Sequence, residues 1–151
     1  MIPRGYRARR AHARDIESLA RLEAYFPSDR LTRAHWRHLL ARGHADVFVV
    51  EQKNIVAGNT VVLYRANSKT ARLYSLVVDA AHRGRKLGDA LVDLAETAAR
   101  KHRCNAIVLE LRPRNRAAQA LYLRRGYQVE GKIAAFYEDG AAALRMRKPL
   151  G

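Results

Sequence analysis

The chain has 151 residues, of which 48% are hydrophobic and 28% are charged. This size and composition predict one globular domain, residues 1–151, and exclude a disordered chain. No apolar run approaches the roughly 20 residues that span a bilayer, and no apolar segment follows the basic start as in a secretory signal. A single cysteine, Cys104, excludes an internal disulfide. We therefore expect a cytoplasmic protein with no membrane attachment.

The charge balance is strongly basic, with 29 Lys and Arg against 14 Asp and Glu and a formal net charge of +15. Such an excess favours anionic partners, which include a phosphate-bearing cofactor, RNA and the ribosome. The arginines are scattered along the chain rather than grouped, so solvated surface side chains are the simpler explanation of most of them. The charge alone therefore leaves the partner open.

The first half of the chain predicts a strand, two helices and a hairpin. Asp15 and Thr32 stand where helix caps are expected, and Pro27 disfavours helix in the residue before it. Two β-branched runs separated by three polar residues are typical of a hairpin. These elements are expected at residues 6–12, 15–26, 32–43, 46–51 and 55–64.

The second half predicts a central strand, a helix, another strand, a fourth helix and a final hairpin. Asn115 is placed to cap the fourth helix, and Gly126 suits the left-handed position that ends it. In the strand before it, Ile107, Leu109 and Leu111 alternate with Val108 and Glu110. The strands are expected at residues 73–78, 105–112, 127–130 and 142–148, with a long loop at 131–140.

This order of elements predicts an α/β (α+β) fold with a mixed, mostly antiparallel sheet of six to seven strands. The four helices are expected to flank the sheet on both faces. The chain contains no internal repeat or linker, which agrees with a single domain.

A glycine-flanked basic loop lies between the central strand and the third helix. Gly84 and Gly88 allow close approach of the backbone, and Arg83, Arg85 and Lys86 supply cations. A strand, glycine loop and helix in this order form a phosphate cradle, because free N–H groups and the helix dipole both favour an anion at a helix start. A plain strand-to-helix turn is the alternative reading of these residues.

The loop resembles the acyl-CoA-binding motif of the Gcn5-related N-acetyltransferase (GNAT) superfamily, Gln/Arg-x-x-Gly-x-Gly/Ala. Arg83 takes the first position and Gly88 the last, whereas Lys86 replaces the usual first glycine. The resemblance implies acetyl-CoA as the acyl donor. The cofactor contacts would come from the strand end, the loop and the two following helices, namely Leu76, Val77, Val78, Arg83, Gly84, Arg85, Lys86, Leu87, Gly88, Asp89, Asn115 and Tyr122.

A second segment, residues 109–127, is similar to the family's strand, Asn-capped helix and Ala-Leu-Tyr-x-x-x-Gly-Tyr ending. Within the superfamily the resemblance is closest to the ribosomal-protein-alanine N-acetyltransferase branch. It implies that Glu110 is the general base and Tyr122 the general acid. Apolar neighbours on the strand would raise the pKa of such a carboxylate. Backbone N–H groups near Val77 and Val78 would hold the oxyanion.

Each of these catalytic and binding roles has a purely structural alternative. Glu110 could pair with Arg112 or Arg114, Tyr122 could be a packing residue, and Asn115 could be a cap alone. His35 and His38 share a helix face without a third ligand, so we expect no metal site. Cys104 lacks a local base and is expected to be a buried thiol.

The acceptor is predicted to bind between the first two helices and the last hairpin loop. The expected substrate-binding residues are Tyr25, Phe26 and Tyr137, with Phe136 beside them, and Glu23, Asp29, Glu138 and Asp139 would attract a cationic amine. The resemblance implies a protein N-terminus as acceptor, together with association with the ribosome. A small-molecule amine is the first alternative, and a basic RNA- or ribosome-binding protein that keeps the fold as a scaffold is the second. Both a monomer and a homodimer are compatible with the sequence.

Overall fold

Seven strands and four helices make up the fold in a computed structural model that describes residues 2–41 and 43–151. The strands are β1 (Arg7–Arg10), β2 (Ala45–Gln52), β3 (Ile55–Leu63), β4 (Thr70–Val78), β5 (Ala106–Leu111), β6 (Gln128–Ile133) and β7 (Ala143–Pro149). The helices are α1 (Ile16–Glu23), α2 (Arg33–Ala41), α3 (Leu87–Lys101) and α4 (Arg116–Arg124), with single 3-10 turns at Ala13–Asp15 and Ala80–His82.

All seven strands join one sheet in the order β1-β2-β3-β4-β5-β7-β6. The β4–β5 pair is parallel and the other pairs are antiparallel. The predicted class, strand count and helix count are therefore confirmed. The predicted start of the last loop was wrong, because β6 runs on to Ile133. Pairing with β7 carries the strand past Gly131 through a β-bulge.

The two faces of the sheet carry different helices. On one face, Leu19 and Leu22 of α1 and Trp36 of α2 are fully buried against β2, β3 and β4. On the other face, α3 and α4 pack on β4, β5 and β7, and Ile107 and Leu109 lie in that core. The alternation predicted for β5 is thus confirmed, and it leaves Glu110 on the face that α3 and α4 do not cover.

The predicted caps differ in how they act. Thr32 accepts the N–H of His35 at 3.1 Å, and Asn115 accepts the N–H of Ala118 at 3.2 Å, so both are side-chain caps. Asp15 precedes α1 but makes no capping bond to the helix. Its carboxylate instead accepts the N–H of His12 at 2.7 Å and the guanidinium of Arg9 at 2.8 and 2.9 Å. Arg9 of β1 thus binds the carboxylate that the local pattern predicted to cap the helix, and the local pattern does not reveal this arginine.

The parallel pair opens partway along its length. Only Thr70–Arg72 of β4 pair with residues 106–108 of β5, although both strands continue beyond them. A bulge in the β3–β4 register leaves Tyr74 without a partner, because Ser75 pairs with Val61 and Leu73 pairs with Val62. A bulge bends its strand, so β4 and β5 diverge and a cleft forms between their C-terminal ends.

Candidate active site

The cleft between β4 and β5 has a volume of about 600 Å³. Its walls come from the two diverging strands, the start of α3, α4, the loop after α1 and the loop between β6 and β7. Both predicted catalytic residues and most of the predicted binding residues meet here. The lining includes Glu23, Tyr25, Phe26, Arg72, Tyr74, Ser75, Leu76, Val77, Val78, Arg83, Gly88, Glu110, Asn115, Tyr122, Phe136 and Tyr137.

Backbone groups of β4 face this cleft. Asp79 donates its N–H to Ala57 at 2.7 Å, and Val78 lies opposite Gly58. Since antiparallel neighbours alternate in the direction of their backbone groups, the polar groups of Leu76 and Val78 point away from β3 and into the cleft. The carbonyl of Val77 instead faces Gly58, where an added Cβ would meet it at 2.8 Å. An oxyanion contact from this strand therefore falls to Leu76 and Val78.

The loop before α3 places an open helix N-terminus beside that strand end. The first intrahelical bond runs from the Ala90 N–H to the Lys86 carbonyl at 3.2 Å, and Lys86 supplies no side-chain cap. The N–H groups of Leu87, Gly88 and Asp89 therefore have no intrahelical acceptor. These groups, together with the helix dipole, form an anion site.

Lys86 adopts a left-handed conformation, with φ of 63°. A residue with a Cβ is strained in this region, which gives a physical reason for the glycine that the family motif has at this place. Gly84, with φ of +79° and open space around it, supplies a second left-handed turn. Lys86 therefore adopts the left-handed conformation that a glycine would adopt more easily, at a conformational cost, and its side chain adds a cation.

The charged side chains around the loop are partly engaged with the protein. Arg83 donates to the Val78 carbonyl at 3.4 Å and lies 5.0 Å from the Tyr25 ring centroid. Arg85 donates to the Tyr6 hydroxyl at 3.1 Å. The Asp89 carboxylate bonds Arg124 at 2.9 Å, so it does not stand free beside the anion site.

Glu110 lies in a different environment from the one expected. Its Oε1 accepts from Arg72 of β4 at 3.0 Å, and its Oε2 accepts from Arg145 of β7 at 2.9 Å. The predicted apolar surroundings are wrong, and so are Arg112 and Arg114 as its alternative partners. Arg112 instead bonds Ser28 at 2.7 Å. Arg145 is the direct cross-strand neighbour of Glu110, a relation that depends on the register of distant strands.

Tyr122 is 6% exposed and lines the cleft from α4. Its ring packs edge-on against Tyr127, with 5.4 Å between centroids. Burial raises the pKa of the Tyr122 phenol above its usual value. The phenol is therefore protonated at neutral pH and has a proton to donate.

Two loops close over the side of the cleft where the sequence predicts the acceptor. Residues 24–32 follow α1, and residues 134–142 join β6 to β7. Asp29 and Glu138 tie them together, since the N–H of each is accepted by the carboxylate of the other at 2.7 and 3.0 Å. Phe136 and Tyr137 meet edge-on at 4.9 Å. The aromatic side chains predicted to bind substrate thus lie in one place.

Tyr25 has a further contact that the sequence does not indicate. Its hydroxyl donates to Asp79 at 3.0 Å and accepts the N–H of Ala80 at 3.0 Å. Tyr25 therefore connects the loop that follows α1 to the turn that precedes the basic loop.

Three cleft residues and Arg145, the cross-strand neighbour of Glu110, gain their importance from the structure rather than from a motif. Arg72 and Arg145 hold Glu110, Ser75 presents a buried hydroxyl, and Glu23 presents a buried carboxylate. Their strand neighbours give no local signal. Glu23 alone had a signal, because it interrupts the apolar face of α1 at the last residue of that helix.

Comparison with known proteins decides the family. Residues 12–127 match the model of the acetyltransferase (GNAT) family. The chain belongs to the GNAT family. It is an N-acetyltransferase, and members of this family use acetyl-CoA as donor. Among the described residues, no group of three or more His, Cys, Asp or Glu side chains could hold a metal ion, and no helix is long and apolar enough to cross a membrane.

Several named acetyltransferases are similar to this GNAT protein. A Bacillus subtilis (strain 168) protein named for [ribosomal protein bS18]-alanine N-acetyltransferase activity is 28% identical over 134 residues, or 87% of each chain. The crystal structure of the Escherichia coli ribosomal-protein-S18-alanine N-acetyltransferase has a TM-score of 0.83 at 20% identity and covers 97% of this chain and 94% of its own. The NatC complex bound to Gag peptide and CoA also gives 0.83 at 20% identity, over 97% and 99%. At these identities the solved structures show the fold alone.

Proposed function

We propose that this GNAT protein acetylates the N-terminal amine of a protein, with a ribosomal protein as the expected acceptor. The observation that carries the proposal is the relative named for bS18-alanine acetylation, which aligns over 87% of both chains. A ribosomal acceptor would place the enzyme in the cytoplasm and would give its net charge of +15 a use near RNA.

The cofactor residues are proposed to act through backbone and charge. The N–H groups of Leu87, Gly88 and Asp89 would bind the pyrophosphate, with Arg83, Arg85 and Lys86 adding cations. The close fit of α3 to α4 supports this arrangement, since a Cβ on Gly88 would lie 3.1 Å from Leu121. Acetyl-CoA supplies the activated thioester, and the N–H groups of Leu76 and Val78 would stabilise the oxyanion that forms on it.

Glu110 and Tyr122 are the proposed catalytic pair. A carboxylate has about four lone-pair positions, so Glu110 can accept an N–H of the acceptor amine while it keeps both arginines. Tyr122 would donate its proton to the departing thiolate. Asn115 would combine its observed capping bond to Ala118 with contact to the cofactor.

A peptide panel tests the acceptor. We expect thiol release from acetyl-CoA with a peptide that begins with alanine, and none with the same peptide blocked at its N-terminus but carrying an internal lysine. Spermidine and an amino sugar serve as small-amine arms. If a small amine turns over at least tenfold faster than every peptide, the acceptor assignment is wrong.

Substitution of Glu110 tests the catalytic assignment. Glu110→Gln should lower kcat/KM about 100-fold at every pH, with a raised KM for the peptide and an unchanged Kd for acetyl-CoA. Turnover equal to that of the wild type across the whole pH range would remove Glu110 from the site chemistry.

A further inference from the structure

Glu23 is a second carboxylate that lines the cleft together with Glu110. Glu23 is the last residue of α1 and is 4% exposed. One of its oxygens, Oε2, accepts the N–H of Leu31 at 3.2 Å. Within the described part of the chain the other oxygen has no hydrogen-bond partner. A negative charge at a helix C-terminus also opposes the helix dipole, so this carboxylate is placed where its charge is poorly compensated.

The two carboxylates differ in their hydrogen-bond partners. Both oxygens of Glu110 accept hydrogen bonds from guanidinium groups. Glu23 is buried and accepts one hydrogen bond, from the N–H of Leu31. Burial raises the pKa of Glu23 to about 7, and the nearby Arg30 opposes that rise only in part. These surroundings allow Glu23 to be ionised and protonated in turn near neutral pH.

Ser75 supplies a second, independent observation on the same wall. Its hydroxyl is buried, and its Oγ has no hydrogen-bond partner among the described residues. Ser75 pairs with Val61, which packs beneath α1 and α2, so Ser75 and Glu23 belong to the same side of the sheet. Both residues line the cleft. A free carboxylate oxygen and a free hydroxyl oxygen together match the several N–H donors of an ammonium group.

The other charged and titratable groups around Glu23 are few. Arg30 lies on the loop that follows α1, and Tyr74 and Arg72 lie on β4. Asp29 and Glu138 face Tyr74 from the two loops that close the cleft. None of these groups bonds the Glu23 carboxylate directly.

We propose that Glu23 accepts the proton of the acceptor ammonium, with the Ser75 hydroxyl bonded to the same nitrogen. Glu110 then acts as the anchor of that nitrogen rather than as its base. This inference rests on the proposed N-acetyltransferase function and adds the proton acceptor to it. The alternative is that Glu23 only tethers the loop at Leu31, a contact that a glutamine could make equally well.

The proton balance of the step is closed. The ammonium gives one proton to the Glu23 carboxylate, and the neutral amine forms a bond to the acetyl carbon. The C–S bond then breaks with its electron pair on sulfur, Tyr122 protonates the thiolate, and the amide nitrogen loses its second proton, which restores Tyr122 through solvent. Glu23 releases its proton to solvent, so one proton is released per turnover.

Kinetics as a function of pH test the proposal with Glu23→Gln. We expect kcat/KM for an alanine-initiated peptide to fall about tenfold at pH 6 to 7 and to lie within about twofold of the wild type at pH 9. The reason is that an α-amine, with a pKa of about 8, deprotonates without help at high pH. Glu17→Gln, the same substitution at an exposed position of the same helix, is the matched control and should retain the wild-type profile.

Thermal unfolding provides a readout without an acceptor. The folded-state pKa of Glu23 is raised to about 7, so its ionisation costs stability as the pH rises from about 4.3 to 7. The Tm of Glu23→Gln minus that of the wild type should grow over this window. If the glutamine variant does not fold, Glu23→Asp should keep the acid limb of the rate profile while lowering the rate.

The outcomes distinguish a failure of the Glu23 inference from a failure of the proposed N-acetyltransferase function. If the wild type turns over peptides and Glu23→Gln keeps the wild-type pH profile, Glu23 is a tether and the inference is overturned. A loss shared with Glu17→Gln, or a Tm difference that is flat with pH, overturns it as well. If the wild type turns over no acceptor while it binds acetyl-CoA, the proposed function itself fails.

Discussion

At the scale of single residues, the phosphate loop depends on one strained position. Lys86 holds φ of 63° at the start of α3, where the family motif has a glycine. The backbone conformation is thus retained without the residue that adopts it most easily. The lysine side chain and the strain have separate consequences, and two substitutions distinguish them.

Lys86→Gly and Lys86→Ala both remove the cation, but only the glycine variant relieves the left-handed strain. We expect Lys86→Gly to be more stable than Lys86→Ala by about 1 kcal/mol in urea unfolding. If the ammonium binds pyrophosphate, both variants should bind acetyl-CoA more weakly than the wild type by a similar factor in calorimetric titration. Tighter binding by Lys86→Gly than by the wild type would show that the Cβ obstructs the site.

Tyr122 allows a test of the donor role. Tyr122→Phe keeps the ring that packs on Tyr127 and removes the hydroxyl. Because burial raises the pKa of this phenol, we expect the loss in kcat, about 100-fold, to be constant from pH 6 to 9. A loss confined to the Kd for acetyl-CoA would make Tyr122 a packing residue.

At the scale of elements, the cleft depends on how closely β3 approaches β4. The carbonyl of Val77 lies where a side chain on Gly58 would begin, at 2.8 Å. Backbone cannot yield to such a contact as a flexible side chain would. The divergence of β4 from β5 then follows from the bulge at Tyr74, so the path of β4 sets both walls of the site.

Gly58→Ala should therefore displace β4. We expect a loss of about 2 kcal/mol in the free energy of unfolding and a weaker Kd for acetyl-CoA, because the backbone of Leu76 and Val78 moves with the strand. Gly131→Ala on β6, where nothing lies within 4 Å of an added Cβ, is the matched control. Equal stability of the two variants would contradict this account of β4.

At the scale of the whole molecule, stability should respond to pH through opposing groups. The Arg9 guanidinium beside Asp15 holds the pKa of that carboxyl below its usual range. This pair joins β1 to the turn before α1, and Arg9 also bonds Glu51 of β2 at 3.0 Å. Glu23 has the opposite effect on the pH dependence of stability, because its folded-state pKa is raised.

Asp15→Asn tests the acid side of this profile. A lowered folded-state pKa contributes stability above the unfolded value near 3.9, and that stability is lost as the pH falls through the folded value. We expect the variant to be less stable than the wild type by about 2 kcal/mol at pH 7, since Arg9 keeps Glu51. The difference should shrink as the pH falls below about 3.9, and thermal melts from pH 2 to 8 measure it. A difference that is the same at every pH in this range would mean that the contact acts by packing.

The sequence by itself determined the elements, the caps at Thr32 and Asn115, and the family. These features depend on side-chain periodicity and on motifs a few residues long, which are local properties of the chain. The faces of β5 followed from the same alternation, which placed Glu110 on the face opposite Leu109 and Leu111.

Only the tertiary structure decided the surroundings of the site. Arg72 and Arg145 meet Glu110 because β4, from the middle of the chain, and β7, from near its end, flank β5 in a particular register. Asp15 turned from a cap into the partner of Arg9 for the same kind of reason. Ser75 became a candidate, and Glu23 a proposed proton acceptor, through burial in a cleft that a single bulge opens. Register and burial depend on contacts between distant segments, and a local sequence pattern does not reveal the energies of those contacts.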